Sequence, residues 1–392
     1  MPFSNAFDPS AISGLLARTC GARREEILAA AATRAPTLES AARLLAPAAD
    51  DEVEALAQLA HRATVARFGK TIGIYAPLYL SNECVCTCTY CGFSMGLPIK
   101  RRTLRIDEVV REAHALARRG IRNILLVSAE HPKRVNPEYV AQCVRETKRV
   151  VPYVGLEIAA ADEPDYGRYV AAGCDGVVLY QETYDRAIYA EHHLAGPKKR
   201  FDWRLDAPQR ASHGGARHLG IGALLGLADW RFDVLSLVAH ARWLERHCWR
   251  SQINVSVPRI NRAEGGYLPR RPVSDRDFVH IILFLRLALP TAGIALSTRE
   301  SPDLRDRLVP LGISLMSAGS STEPGGYSRP GEAGEQFELE DTRSPAAVAA
   351  RLRELGYEAV FKDWEHMTSV RPGSPALLSA GAGTTRLGVA AS

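Results

Sequence analysis

Short apolar runs alternate with amphipathic stretches along most of the chain after residue 70. A run such as IRNILLV (121–127) is apolar almost throughout, as strands of a parallel sheet covered on both faces are. A stretch such as IDEVVREAHALARRG (106–120) has apolar residues three and four positions apart, which indicates an amphipathic helix. The pattern predicts eight strands, at 71–80, 121–127, 153–159, 175–180, 218–225, 253–257, 293–298 and 313–318. Between them it predicts helices at 106–120, 137–150, 164–172, 233–248, 275–289 and 302–312, with a long polar insert after the fourth strand.

Eight strand–helix units in about 250 residues match a closed (β/α)8 barrel of the TIM type. A doubly wound open α/β sheet shows the same alternation and stays the alternative, because periodicity does not show closure. We expect the barrel to occupy 71–340, after a helical N-terminal segment, 1–70, that is rich in Ala, Leu, Arg and Glu. A short C-terminal α/β extension, 341–392, includes a helix at 346–356 and ends in small residues (380–392) that predict a disordered tail.

The composition of the chain gives no indication of a nucleic-acid-binding, secreted or membrane protein. The chain has 392 residues, is 46% apolar and carries a formal net charge of +5 that comes from scattered arginines. No dense basic block indicates nucleic-acid binding, and the first residues lack the pattern of a signal peptide. The most apolar helix candidate, 278–289, is too short to span a bilayer and contains Arg286. We therefore expect a cytoplasmic protein without a membrane anchor, in which disulfides are disfavoured.

Four of the eight cysteines lie within the stretch CVCTCTYC, from Cys84 to Cys91. The spacing Cys84-x3-Cys88-x2-Cys91 suits three thiolate ligands of a [4Fe–4S] cluster, which leaves the fourth iron without a protein ligand. An open iron can bind the amine and carboxylate of S-adenosylmethionine, and electron transfer into the sulfonium then produces an adenosyl radical. Tyr90, directly before the last cysteine, is suited to stack on the adenine ring; an ordinary packed aromatic residue is the less favoured alternative.

Cys86 leaves a second interpretation open. With it the loop could supply four ligands to a structural zinc ion, but such sites usually take their cysteines from two separated pairs. The remaining cysteines, at positions 20, 143, 174 and 248, are isolated in the sequence. They are most simply small residues of the core. The three-ligand cluster is therefore the favoured hypothesis.

Polar residues also follow most of the predicted strands. In a (β/α)8 barrel the loops after the carboxyl ends of the strands form the active face, so these residues should converge near the cysteine loop. Any single one could be an ordinary solvated loop residue. The set consists of Glu130 and His131, Glu157, Gln181 and Glu182, Arg259, Arg299 and Glu300, and Ser317 with Ser320.

The chain resembles the radical S-adenosylmethionine aromatic amino acid lyases, and among them the tyrosine lyases. The resemblance extends beyond the cysteine motif over nearly the whole chain after residue 60, and that family has a (β/α)8 barrel. It rests on PLYLSNECVCTCTYCGFSMGLPIKRRTL (77–104), LLVSAEH (125–131), GVVLYQETYDRAIYAEHHLAGPKKRFDWRL (176–205), IGALLGLADWR (221–231), ALSTRESPDLRDRLVPLGI (295–313), PGGY (324–327) and VFKDW (360–364).

By position, the resemblance implies that Cys84, Cys88 and Cys91 ligate the cluster, whereas Cys86 stands where the family commonly has Asn. Glu130 falls where the superfamily places a Gly-Glu pair near the methionyl amine of the cofactor, with Ala129 in place of the Gly.

Chemistry and position suggest three further roles. The guanidinium of Arg299 matches a substrate carboxylate at two points, which makes it the candidate clamp. Ser317 and Ser320 could share that task, and Glu157 could bind the cofactor ribose.

The reaction implied is hydrogen-atom removal from L-tyrosine followed by cleavage of its Cα–Cβ bond, giving p-cresol and dehydroglycine. Dehydroglycine hydrolyses readily, so thiazole synthase of thiamine biosynthesis is the expected protein partner, and a flavodoxin or ferredoxin is the expected reductant. A tyrosine lyase of hydrogenase maturation would need a second cluster, and this chain has no cysteine after Cys248. A tryptophan lyase and a non-catalytic iron–sulfur or zinc protein are the alternatives.

Overall fold

The computed structural model of the protein describes residues 1–34 and 36–361. The tail that we predict to be disordered (380–392) and the end of the VFKDW segment lie outside the described residues. The strands are β1 Thr71–Ser81, β2 Thr87–Cys88, β3 Asn123–Ser128, β4 Tyr153–Glu157, β5 Gly176–Glu182, β6 His193–Ala195, β7 His218–Ala223, β8 Gln252–Ser256, β9 Gly293–Leu296, β10 Leu315–Ser317 and β11 Glu358–Val360.

The helices alternate with the strands as the periodicity indicates. They are α1 Phe3–Ala6, α2 Pro9–Thr19, α3 Arg24–Ala31, α4 Leu38–Arg43, α5 Asp50–Phe68, α6 Ile106–Arg118, α7 Pro137–Val150, α8 Glu163–Ala171, α9 Arg186–His192, α10 Phe201–Leu205, α11 Ala207–His213, α12 Trp230–His247, α13 Asp275–Ala288, α14 Pro302–Leu308 and α15 Pro345–Glu354, with 3-10 turns at Pro197–Lys199 and Val309–Leu311. Side-chain caps fix several starts: the Asn136 side chain accepts from the Tyr139 amide, with Pro137 in the first turn of α7.

Eight parallel strands close into a barrel. The order is β1-β3-β4-β5-β7-β8-β9-β10, and β10 pairs back to β1. The closing register places Gly73 opposite Leu315, Ile74 opposite Met316 and Tyr75 opposite Ser317. The predicted (β/α)8 barrel is therefore confirmed, and the open-sheet alternative is wrong.

Three strands were not predicted: β2 and β6, which pair with each other outside the barrel, and β11. β11 pairs in parallel with the first residues of β1, Thr71 to Gly73, just before the residues that pair with β10. It is only three residues long, and such a run carries too little periodicity to be recognised. It attaches α15 and the C-terminal extension to the barrel.

The N-terminal helices lie against one side of the barrel. α5 and α4 contact α13, and α2 contacts α12. This explains why the sequence of α13 is apolar nearly all round, since it is covered by the barrel on one side and by these helices on the other. Its Arg286 is buried and donates to the carbonyl oxygens of Gly312 (2.7 Å) and Ala292 (2.9 Å). Within residues 1–34 and 36–361, no helix has the length and apolar character that crossing a membrane requires.

The insert after the fourth barrel strand is folded. It contains α9, α10, α11 and the short strand β6, which pairs antiparallel with β2 of the cysteine loop. Thr87 lies opposite Ala195, and Cys88 opposite His193. The insert therefore covers the cysteine loop.

A buried ion pair secures the end of β10. Arg305 of α14 bonds the carboxylate of Asp341, and both side chains are 0% exposed. The same guanidinium donates to the carbonyl oxygen of Ser317 at 2.5 Å. Arg343 adds a second contact to Asp341 at 2.7 Å. This cluster joins the C-terminal extension to the strand that closes the barrel.

Substituting Arg305 with Met should destabilise the fold by about 3 kcal/mol, since removing one partner leaves a buried carboxylate only partly compensated. We expect a clear fall in the urea midpoint followed by circular dichroism. The matched control is Arg276→Met, which breaks an exposed pair with Asp50 and should change the midpoint little. Equal midpoints for the two variants would contradict the role of Arg305.

Candidate active site

The cysteine loop follows β1 and lies on the carboxyl-terminal face of the barrel. Cys88 is buried, and Cys84 and Cys91 are partly exposed. The backbone amide of Cys86 donates to Cys84 Sγ at 3.4 Å, and that of Phe93 donates to Cys91 Sγ at 3.4 Å. Such N–H···S bonds favour the anionic form of sulfur.

The thiols differ in acidity. The hydrogen bond from the Cys86 thiol lowers the pKa of Cys84 to about 6. Burial raises the pKa of Cys88 and of Cys91, and the nearby ammonium of Lys198 opposes that rise. A metal would supply the missing stabilisation of the two buried thiolates, because it holds its sulfur ligands deprotonated.

These donors fit a cubane cluster. Three thiols of one loop, amide donors at two of the sulfurs and a buried ammonium nearby match a negatively charged iron–sulfur group. Among the described residues, no three His, Cys, Asp or Glu side chains surround a single point as the ligands of one metal ion do.

Cys86 also has contacts outside the cysteine loop. Its side chain is buried, and its sulfur is 3.5 Å from Glu130 Oε2. Gly196 of the insert packs directly on it, since a Cβ there would lie 2.6 Å from the Cys86 sulfur. Cys86 therefore connects the loop to Glu130 and to the insert.

A cavity opens beside the loop and receives side chains from all eight barrel strands or the loops after them. It brings together six of the nine predicted site residues: Tyr90, Cys91, Glu157, Arg299, Ser317 and Ser320. Its other lining residues are Tyr75, Pro77, Tyr79, Leu125, Val127, Tyr180, Glu182, Lys198, Leu224, Pro258, Ile260, Asn261, Ser297, Thr298, Thr322, Gln336 and Phe337. Cys84 and Cys88 lie in the adjoining loop but do not line this cavity.

Glu130 lies in a second, adjacent cavity, together with Arg204 and Lys198. Lys198 lines both cavities. The two spaces therefore meet at one ammonium group, beside the cysteine loop.

A chain of buried charges runs between the cavities. Arg204 contacts Glu130 at 3.2 Å and Glu182 at 3.4 Å, and Lys198 contacts Glu182 at 2.7 Å. Burial opposes ionisation of Glu182, but these two cations bring its pKa below the ordinary value.

Glu182 has φ of 74°, and in the described part of the chain no other non-glycine residue has a positive φ. A non-glycine residue keeps such a strained backbone conformation only where the surrounding contacts hold it there. Residues of this kind are concentrated at functional sites.

Tyr90 is held rigidly in this network. Its hydroxyl is 2.8 Å from His193 Nε2, and the Lys198 ammonium lies 5.6 Å from the centre of its ring. Burial raises the pKa of Tyr90 well above its ordinary value, so the phenol stays neutral. The predicted stacking on adenine stays a prediction.

Arg299 is placed differently from the other buried cations. Its guanidinium stacks on the ring of Phe337 at 3.4 Å. Within residues 1–34 and 36–361 it donates no side-chain hydrogen bond and joins no ion pair. Ser320 Oγ, in the same cavity, is buried without a hydrogen-bond partner. Together they offer unused donors to an anionic ligand.

Arg259 contrasts with Arg299, because its guanidinium already has two carboxylate partners. It bonds the carboxylate of Glu300 and lies 2.7 Å from Asp275. Glu157, by comparison, faces the main cavity, where burial and the negative charge of Glu182 raise its pKa to about 7.

Sequence reasoning missed several lining residues. Lys198 and Arg204 belong to the insert, and only their place in a family-specific string could have drawn attention to them. Gln336 and Phe337 follow no predicted strand and carry no motif. They reach the cavity because the chain folds back over it after β10.

Two family models match the chain. The Radical SAM superfamily model covers residues 78–235, and the Biotin and Thiamin Synthesis associated domain covers residues 256–358. The 2-iminoacetate synthase of Escherichia coli K12 is 44% identical over 82% of this chain and 86% of its own length. The enzyme of the same name from Salmonella typhimurium LT2 is 42% identical over the same shares.

Solved structures agree on the architecture. HydG, described as a maturase of the [FeFe]-hydrogenase, superposes with a TM-score of 0.86 at 32% identity, over 90% of this chain and 80% of that one. HydG from Carboxydothermus hydrogenoformans gives 0.84 at 34% identity, over 90% and 83%. The matched sequence, the closed barrel and the three-cysteine loop lead to one assignment: this chain belongs to the 2-iminoacetate synthase family of radical S-adenosylmethionine enzymes.

Proposed function

We propose that this protein cleaves the Cα–Cβ bond of L-tyrosine to give 2-iminoacetate (dehydroglycine) and p-cresol, for thiazole formation in thiamine biosynthesis. The observation that carries the proposal is the cavity that Arg299 shares with Tyr90 and Cys91 of the cysteine loop, where its guanidinium has no ion-pair partner among the described residues. The 44% identity to 2-iminoacetate synthase over most of both chains supports the substrate. A tryptophan lyase would use the same clamp, and only the fit of the side chain distinguishes it.

Cys84, Cys88 and Cys91 would hold a [4Fe–4S] cluster. When bound, the cluster supplies the electron that cleaves S-adenosylmethionine to the adenosyl radical. Glu130 is the candidate for the cofactor amine, Glu157 for its ribose, and Tyr90 for its adenine. The cations of Lys198 and Arg204 offset the charges of Glu130 and Glu182, so these four side chains add no net charge to the pocket.

Arg299 would grip the carboxylate of tyrosine, with Ser317 and Ser320 as further donors. The stacking on Phe337 holds the guanidinium plane in place. Leu125, Val127 and other apolar lining residues exclude water from the space between clamp and cysteine loop. Exclusion of water matters here because 2-iminoacetate hydrolyses readily.

The expected partners follow from the chemistry. Thiazole synthase would take the unstable product directly, and a flavodoxin or ferredoxin would supply electrons. We expect the protein to meet these partners in the cytoplasm.

The anaerobically reconstituted protein, given dithionite and S-adenosylmethionine, should release p-cresol from tyrosine. Chromatography with a p-cresol standard measures it, and tryptophan is the matched control substrate, from which no 3-methylindole should form. Formation of 5′-deoxyadenosine without p-cresol would keep the radical chemistry and reject tyrosine as the substrate.

Cys86→Ala should retain p-cresol formation and wild-type iron content, because Cys86 is not among the three ligands. Cys88→Ala should lose both. Iron and sulfide analysis together with the p-cresol assay distinguishes the variants. Equal losses in the two would show that the ligand assignment is wrong.

Arg299→Gln should lower kcat/KM for tyrosine by a factor of roughly 100, which corresponds to the loss of a charge-assisted pair worth ~3 kcal/mol. Uncoupled 5′-deoxyadenosine formation without tyrosine should be little changed, since Arg299 is not assigned to the cofactor. Arg259→Gln serves as control and should leave KM close to the wild-type value. An unchanged KM in Arg299→Gln would exclude the clamp.

A further inference from the structure

Residues 334–337, the strap, run directly over the cysteine loop. The side-chain amide of Asn82 donates to the Gly334 carbonyl oxygen at 3.0 Å. The backbone amide of Gly92 donates to the Gln336 carbonyl oxygen at 3.1 Å. A Cβ on Gly92 would lie 2.5 Å from the Gln336 carbonyl oxygen. At Gly92 and Gln336 the backbones of the loop and the strap are therefore in direct contact, with no side chain between them.

The side chain of Gln336 bridges the loop and the barrel. Its Nε2 lies 3.9 Å from Cys91 Sγ, and its Oε1 accepts a hydrogen bond of 2.6 Å from the Tyr79 hydroxyl. Because the phenol donates to Oε1, the amide nitrogen faces the sulfur. Gln336 is the side chain that donates to Cys91, while the other amide at this sulfur comes from the loop backbone.

The backbone of the strap at Gln336 and Phe337 is bonded to Thr322. The backbone amide of Gln336 donates to the Thr322 carbonyl oxygen at 3.1 Å, and the Thr322 hydroxyl donates to that of Phe337 at 3.0 Å. Phe337 itself stacks on Arg299. Contacts with Thr322, Tyr79 and Gly92 therefore hold Gln336 in place.

A hydrogen bond to a ligand sulfur draws negative charge away from an iron–sulfur cluster. Reduction adds one electron to the cluster without forming or breaking a bond, so such a donor stabilises the reduced state more than the oxidised one. The reduction potential then rises. A neutral amide held against Cys91 acts in this direction.

We propose that Gln336 is a positioning residue whose amide donates to Cys91 and raises the reduction potential of the cluster. This rests on the proposed function only in that the three cysteines hold a [4Fe–4S] cluster. It does not depend on the substrate.

The test is a redox titration of the reconstituted holoprotein, followed by electron paramagnetic resonance without S-adenosylmethionine or tyrosine. Gln336→Leu removes the donor at similar volume. At the potential where half of the wild-type clusters are reduced, we expect roughly one in ten of the variant clusters to be reduced, which is a tenfold change in the ratio of the two states for a one-electron couple. Gln336→Glu keeps an acceptor for Tyr79 but has no N–H, and should also lower the potential.

The control is Gln58→Leu, which removes an exposed glutamine of α5 that bonds Glu54 and should leave the potential unchanged. Wild-type potentials in both Gln336 variants, at full iron and sulfide content, would overturn the proposal. Release of p-cresol by the wild-type protein is measured separately. Failure of the tyrosine reaction would therefore leave this result intact, and an unchanged potential would leave the tyrosine reaction intact.

Discussion

The parallel pairing of β10 with β1 is the contact on which the rest of the site depends. The three register pairs from Gly73 to Tyr75 close the sheet and bring the loop after β1 next to the loops after β9 and β10. Arg299 and the cysteine loop are more than 200 residues apart in sequence, yet they line one cavity. Arg305 reinforces this closure by bonding the carbonyl of Ser317, so the buried pair with Asp341 stabilises the fold at the same place where the site is assembled.

Most charged groups of the site are paired with one another, but Arg299 differs from them. Glu130, Glu182, Lys198 and Arg204 compensate one another in the buried network between the two cavities. Burying ions is unfavourable unless they are paired, so this network can be kept only because each charge has a partner. Arg299 has no such partner among the described residues and is stacked on an aromatic ring. Under the proposed function, the compensated network lies beside the cofactor, and the guanidinium of Arg299 is available for the carboxylate of the substrate.

Much of this could be predicted from local sequence, because periodicity and spacing are local properties. The eight barrel strands and the three cysteines come from such patterns, and the prediction of Arg299 came from its position after a strand. Closure was predicted only through the count of eight strand–helix units, whereas β11 and the network around Lys198 could not be predicted, since each depends on contacts between distant segments. Gln336 is the clearest case: nothing near it in sequence indicates that its amide faces Cys91. The division of the chain into segments at 70 and 340, and the individual roles of Glu130, Glu157, Tyr90 and the two serines, stay predictions.

The absence of space for a side chain at Gly92 has a consequence for how the protein is made. The carbonyl groups that fill this space belong to Glu335 and Gln336, which leave the ribosome more than 240 residues after the cysteines. Until then the thiols lie in a loop that lacks its final cover. The cover of the cysteine loop is therefore completed only after residue 336 has been added, late in the synthesis of the chain.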